Sequence, residues 1–400
     1  MGKDTSYVGL EITSRAIRMI AGYVINDLVY IRHIIENECS GLENGLIKDP
    51  EIVIKKIKDT VTTLSKELDF QINDVALVLP PFNLWCMSDT DTTNTIDGND
   101  VIQHIDTVNV LTKMKKRPLA DSDLKIVDII PDLYMLNNGE RYVNEPVGKI
   151  SQVLTLHASI YAMSEKVINQ FISVVNRAGL KVKHSVIAPY SSCLYLSTIA
   201  SMPSSYILLD IGHSLTTISQ VNERTSIVNS RIIRFGGDSI TQAISDRFNL
   251  SKSDAEKLKV LYGIDKNPNF PVYLKGHITF EDLADVIIKS IVPSLDMIKS
   301  IIKDFALVDN EKLPIVICGG TSKLNNIAKV IKDELNQEVI EYNLETIGAR
   351  NPSLVSLLGL IKYWGNQPQL DEEEIINTSL TRVDSNKKTN NRSYQFDEEL

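Results

Sequence analysis

Near the N-terminus the apolar positions fall in short blocks at residues 7–10, 16–25 and 28–35, separated by brief polar connections. Blocks of that length, rich in β-branched and aromatic residues, predict three adjacent strands. From about Asp49 the period lengthens. Ile52, Ile57, Val61, Leu64 and Leu68 recur near helical spacing and predict an amphipathic helix over 49–68. A further short strand at 75–79 is closed by Pro80-Pro81. The order β, β, β, α, β describes half of a mixed α/β sheet.

The same order returns later. Residues 207–210, 216–221 and 226–234 form a second strand triplet, Gly236-Gly237 stops it, and a helix over 239–248 follows. Farther on the pattern predicts a strand at 315–318 and helices at 322–335 and 353–363. A coarse internal duplication results. Between the copies, 88–94 reads as a soft polar entry and 154–160 as a strand. A long helical pattern over 278–307 contains Pro293, which predicts a kink or a split.

With 400 residues, 43% of them apolar, the chain can bury a large core in two or three domains. A net charge of −9 speaks against a nucleic-acid backbone as the main partner, because that role normally shows a basic face. Cys39, Cys86, Cys193 and Cys318 lie far apart, without the paired spacing of a zinc site or redox dithiol. They read as reduced cytosolic thiols. No apolar run reaches the roughly 18 to 20 residues of a membrane span.

The chemistry begins at the strand tips. Ile207-Leu208-Leu209-Asp210-Ile211-Gly212 ends an apolar strand in an acid and a glycine, and Tyr7-Val8-Gly9-Leu10-Glu11-Ile12 repeats the arrangement. One copy alone would be an ordinary turn. Two similar halves that each open on strand, acid and sharp turn make a nucleotide clamp: turn amides face phosphates, and the acids hold Mg²⁺ through its water shell. Gly319-Gly320 ends a third apolar strand, where glycine lets a ring or phosphate approach the backbone. Glu256 and Lys259 share one helix face at i and i+3, which by itself suits a solvated pair. His157, alone on a strand, reads as a satisfied structural residue.

These stretches together resemble FtsA, the actin-like bacterial cell-division family. GLEITSRAI resembles its first phosphate loop, LLDIGHSLTTIS the second, CGGTSKL the adenosine motif, and ARNPSLVSLLGLIKYW the closing helix. IIPDLY with NEPVGK resembles the family's 1C subdomain. The resemblance implies an α/β, actin-like two-lobed fold with duplicated mixed sheets. Lobe 1 would comprise 1–82 and 165–203, the 1C-like subdomain 83–164, and lobe 2 204–367 with 2B inserted at about 240–307.

It also implies ATP and Mg²⁺ as ligands. Glu11 and Asp210 match the acids that hold Mg²⁺ through water. Ser14, Gly212, His213 and Ser214 match phosphate positions, and Gly237 and Asp238 follow in the cleft. Glu256 and Lys259 match ribose or adenine contacts, while Gly319, Gly320 and Ser322 match the adenosine loop. Two departures stand out. Thr13 replaces a glycine, where a Cβ is expected to obstruct a turn needing positive φ. Ala16 replaces a lysine. The helix at 189–195 offers only hydroxyls for orienting an attacking water, so catalytic residues stay unassigned and at most slow ATP turnover is expected.

For partners, the resemblance implies filament self-association, later division proteins at the 1C-like region, and the C-terminal peptide of the tubulin-like FtsZ at 2B. Lys289, Ser290 and Lys299 mark that docking region. The tail at 368–400 is polar and acidic, without a basic amphipathic helix, so it is expected to be disordered and membrane attachment to be indirect. The resulting expectation is a cytoplasmic protein at the division ring, on the inner face of the cell membrane. A nucleotide-free scaffold or a small-molecule phosphotransferase on the same fold remain the alternatives.

Overall fold

The structure is a computed structural model describing residues 6–96, 98, 100–119, 121–265, 278–305 and 312–367; the expectations for the tail at 368–400, and for 306–307 of the helical run, lie outside them. Strands β1 (Tyr7–Ile12), β2 (Ala16–Ile25) and β3 (Leu28–Glu38) pair antiparallel in succession. Asn26 and Asp27, at φ 49° and 66°, close the β2–β3 hairpin with the two left-handed residues that match strand twist. A small hairpin, β4 (Leu42–Glu43) and β5 (Leu46–Ile47), leads to α1 (Pro50–Leu68). Asp49 caps α1 by accepting from the amides of Glu51 and Ile52. Then β6 (Asp74–Leu79) returns parallel to β1.

A separate sheet follows, built from β7 (Trp85–Asn94), β8 (Leu124–Leu136), β9 (Arg141–Tyr142) and β10 (Val153–Ser164) in the order β7-β10-β8-β9, with α2 (His104–Lys115) against it. The polar stretch 88–94, expected as a soft entry, is most of strand β7. Arg117 neutralises its half-buried Asp89 and Asp91, and Thr90 meets His157 of β10 at 2.7 Å. His157 is thus a partnered cross-strand residue. After α3 (Glu165–Arg177), β11 (Lys181–Ile187) pairs parallel with β6 and leads into α4 (Ala188–Leu196).

The second half comprises β12 (Tyr206–Ile211), β13 (Thr216–Asn222), β14 (Ser226–Ile233), α5 (Gly237–Phe248), α6 (Lys252–Tyr262), α7 (Phe280–Asp304), β15 (Ile315–Cys318), α8 (Ile327–Leu335), β16 (Val339–Ile340) and α9 (Val355–Gly365). Its sheet runs β14-β13-β12-β15-β16, and the first runs β3-β2-β1-β6-β11 when read from the matching edge. The duplication therefore holds strand for strand. Glu11 and Asp210 each stand fifth in a six-residue strand. Separate apolar cores lie around the two halves and behind the β7-to-β10 sheet.

One helical expectation is narrowed and another needs correction. Pro293 does not split α7, which stays helical across it; Pro293 and Lys289, whose carbonyl loses its usual amide partner, both lie at the exposed surface, where water can replace that bond. The helix expected over 322–335 is broken: a 3-10 turn at Gly320–Lys323 precedes α8, with Asn326 between them at φ 64°. Asn326 is held there by its side-chain amide, which donates to Ile264 O at 2.8 Å.

Asp128 of β8 accepts from the Tyr363 hydroxyl of α9 at 2.7 Å, joining the four-stranded sheet to the closing helix. Burial pushes its carboxyl from 3.8 up to about 6, against the pull of the Tyr363 bond. The folded state therefore binds a proton that the unfolded state has released, and stability from this group falls as pH rises from 3.8 to about 6. Asp128→Asn keeps the acceptor and removes the charge. It is expected to melt later than the parent at pH 8, with the gap closing as pH falls below about 4.

Candidate functional site

A cavity of about 520 Å³ lies between the two sheets. Glu11, Ser14, Asp210, Gly212, His213, Ser214, Gly237, Glu256, Lys259, Gly319 and Gly320 line it together. Asp238 and Ser322 do not line it: Asp238 turns to Lys252 at 3.7 Å, and the Ser322 hydroxyl donates to Gly319 O at 2.7 Å.

The acids occupy equivalent strand positions but have different neighbours. In the β1–β2 register Glu11 stands opposite Arg18; in β12–β13 Asp210 stands opposite Thr217. Arg18 is only 9% exposed and bonds Glu11 Oε2 at 3.1 Å, Glu36 Oε2 at 2.7 Å and Ser353 O at 3.4 Å. The Ser356 hydroxyl donates to Glu11 Oε1 at 2.6 Å, so both Glu11 oxygens are engaged. Asp210 accepts no such bond from a described residue. Burial, and then the nearby Glu11, push its carboxyl up to about 6, while Arg18 opposes the shift. Arg18 and Ser356 escaped the sequence reading. The available signal was a guanidinium inside the otherwise apolar AIRMIAGYVI.

The first loop corrects the expectation for Thr13. Neither Thr13 nor its loop neighbours have positive φ. The Thr13 hydroxyl itself closes the turn, donating to Ala16 O at 2.9 Å and accepting from Ala16 N at 3.1 Å. Arg15 brings a cation to this loop and reaches across the cavity to Glu256 at 3.4 Å.

The second loop is held by backbone. Gly212 O accepts from Gly237 N at 3.0 Å and from the Thr321 hydroxyl at 2.8 Å, and His213 O accepts from Asp238 N at 2.8 Å. The amides of Gly237 and Asp238 thus shape the loop. A Cβ on Gly236 would lie 2.4 Å from His213 O, so close backbone contact requires glycine there.

Lys259 is 6% exposed and donates to Gly237 O at 2.8 Å and Thr241 Oγ1 at 2.7 Å, with Glu256 at 2.6 Å. Burial lowers its pKa and Glu256 opposes that shift. For Glu256, burial alone would raise the carboxyl, but Lys259, Thr241 and Arg15 outweigh it and hold the group below its usual range. Helix spacing alone would leave this pair solvated; both residues line the cavity. On α7, Lys289 and Lys299 are exposed, and the half-buried Ser290 bonds Ile287 O at 2.7 Å.

Among the described residues no group of three or more His, Cys, Asp or Glu could hold a metal ion directly. The Asp210 carboxylate, which accepts no hydrogen bond from a described residue and lines the cavity, would suit a hydrated Mg²⁺, whereas Glu11 faces Arg18 and Ser356.

Two repeated sheets with a strand-tip acid on each, facing one cavity, define the actin-like class of α/β folds. Solved structures share it: the PilM-PilN type IV pilus biogenesis complex (TM-score 0.61, 17% identity, 92% of this chain and 100% of that one) and ethanolamine utilization protein EutJ from Carboxydothermus hydrogenoformans (0.55, 14%, 90% and 91%). MreB5 of Spiroplasma citri bound to ADP also matches (0.51, 13%, 96% and 99%). Within that class, the chain resembles cell division protein FtsA: the family model matches residues 207–359. FtsA of Enterococcus faecalis is 24% identical over 381 residues (91% of this chain, 84% of the relative). FtsA of Bacillus subtilis is 21% identical over 376 residues (91% and 84%).

Proposed function

We propose that this chain is an FtsA-family cell-division protein that binds ATP in the cleft between its sheets and assembles at the division ring on the cytoplasmic face of the membrane. The carrying observation is the pair of acids at equivalent strand positions on opposed sheets, both lining one cavity of about 520 Å³. MreB5, alike in fold, is described with ADP bound. In this reading Asp210 would hold Mg²⁺ through water, where the ion would offset phosphate charge, and Glu11 fixes Arg18 beside it. Ser14, His213 and Ser214 face the phosphates, Glu256 and Lys259 the ribose or adenine, and Gly319 and Gly320 the adenosine. Asp238 and Ser322 support the loops. Calorimetric titration with ATP, with and without Mg²⁺, tests the reading; no binding under either condition would favour a nucleotide-free scaffold.

The lobes divide as 1–82 with 165–203 and 204–367, with 83–164 as a 1C-like surface for neighbouring subunits and later division proteins. The Ser192 hydroxyl is the polar group that α4 offers the cleft. Phosphate release is expected far below the roughly 1 to 100 s⁻¹ of kinases. Robust turnover abolished in Ser192→Ala would contradict that expectation.

The acidic C-terminal peptide of FtsZ would dock on α7, around Lys289, Ser290 and Lys299. Reversing both lysines to glutamate is expected to weaken binding of that peptide, more so at low salt. Unchanged affinity in a fluorescence-anisotropy titration would remove α7 from the docking site.

A further inference from the structure

Among the described residues, one buried side-chain polar atom has no hydrogen-bond partner: the hydroxyl oxygen of Ser353. The residue is 8% exposed and belongs to the cavity wall. Leaving a buried hydroxyl unpaired costs stability, so an orphan on the wall of a ligand cleft points to a group that arrives with the ligand.

Its surroundings define that group. Ser353 lies in the 3-10 turn Pro352–Leu354 that leads directly into α9, and the Asn351 side chain caps this start by accepting from Ser353 N at 3.1 Å. A helix start presents the positive end of its dipole. On one side, a Cβ built on Gly320 would lie 3.8 Å from Ser353 Cβ. On the other, Arg18 meets Ser353 O at 3.4 Å. Arg18 is balanced by Glu11 and Glu36, so it adds little net attraction for an anion. Lys323, at the end of the 3-10 turn begun by Gly320, lines the same cavity and forms no salt bridge with a described residue. A hydroxyl donor at a helix start suits a phosphate oxygen.

We propose that the Ser353 hydroxyl donates to a phosphate oxygen of the bound nucleotide, making the start of α9 a phosphate subsite additional to the two strand-tip loops. This rests on the nucleotide reading above. Ser353→Ala removes one oxygen and leaves the cap intact. It is expected to weaken ATP binding about five-fold, by the value of one hydrogen bond, and to leave adenosine binding unchanged. The melting temperature of the ligand-free protein should stay level or rise, because the unpaired group is gone. A serine serving structure alone would lower it.

Calorimetry of the full chain with ATP, adenosine and inorganic tripolyphosphate separates the outcomes. Equal ATP affinity in parent and variant overturns the subsite while leaving the nucleotide reading intact. Equal weakening of ATP and adenosine also overturns it, since that marks a distorted cleft. If the parent binds tripolyphosphate but no ATP, and Ser353→Ala weakens it, the subsite stands and the nucleotide reading fails. If the parent binds neither, both fail.

Discussion

Gly359→Ala is expected to destabilise the protein by about 3 kcal/mol or more. Gly359 sits in α9 where that helix crosses α4, and a Cβ there would lie 1.6 Å from Ser191 O. The obstacle is backbone, which cannot rotate away as a side chain would, so the helices must separate. Separation would strain the buried bond from the Ser191 hydroxyl to Ser356 O (2.6 Å) and the contact of Ser356 with Glu11. The packing damage should therefore reach the cleft. A large fall in melting temperature together with lost ATP affinity is the expected result. Gly139→Ala is a useful control: it has positive φ (86°), but nothing lies within 4 Å of its Cβ position, so its cost should come from backbone strain alone, on the order of 1 kcal/mol. Similar melting temperatures for the two variants would show that the helix crossing is more accommodating than its geometry implies.

The period of the apolar residues sufficed for the duplicated strands because each sheet face buries a continuous stripe, and β1 and β12 have acids at the same position. The tight helix crossing was not legible from that pattern. Gly359 lies within a run of apolar residues, and only the approach of Ser191 from a distant segment distinguishes it from an ordinary small residue. Long-range pairing also explains the misjudged polar stretch at 88–94. Its alternating Asp and Thr side chains read as a soft polar entry until Arg117 and β10 supply partners. At the site, the motif residues were visible one by one, but their division of labour was not. Arg18 faces Glu11 through strand register, and Ser356 reaches Glu11 from 345 residues away. These contacts make two similar acids unequal. The Thr13 expectation failed for a local reason: a hydroxyl can close by hydrogen bonding a turn that glycine closes by conformation.

That inequality leads to the sharpest test of the cleft. Asp210→Asn preserves shape and removes the one strand-tip charge that lacks an internal counter-ion. With Mg²⁺ present, ATP affinity is expected to fall about ten-fold or more, since a charge-assisted contact to the hydrated ion is lost. Without Mg²⁺ the sign should reverse: the ionised Asp210 faces bare phosphates in a poorly solvated cavity, and removing its charge removes that repulsion. Glu11→Gln should behave differently. Glu11 shares Arg18 with Glu36, so its loss deletes an anion beside the phosphates while Arg18 keeps its pair with Glu36, and metal-free ATP should gain affinity while the dependence on Mg²⁺ through Asp210 persists. Calorimetry of the parent and both variants, in Mg²⁺ and in EDTA, gives six affinities. If Asp210→Asn weakens ATP equally in both buffers, the carboxylate serves the fold of the second loop rather than the ion. If Glu11→Gln abolishes the Mg²⁺ effect, the two acids share the ion and the asymmetry imposed by Arg18 has no functional consequence.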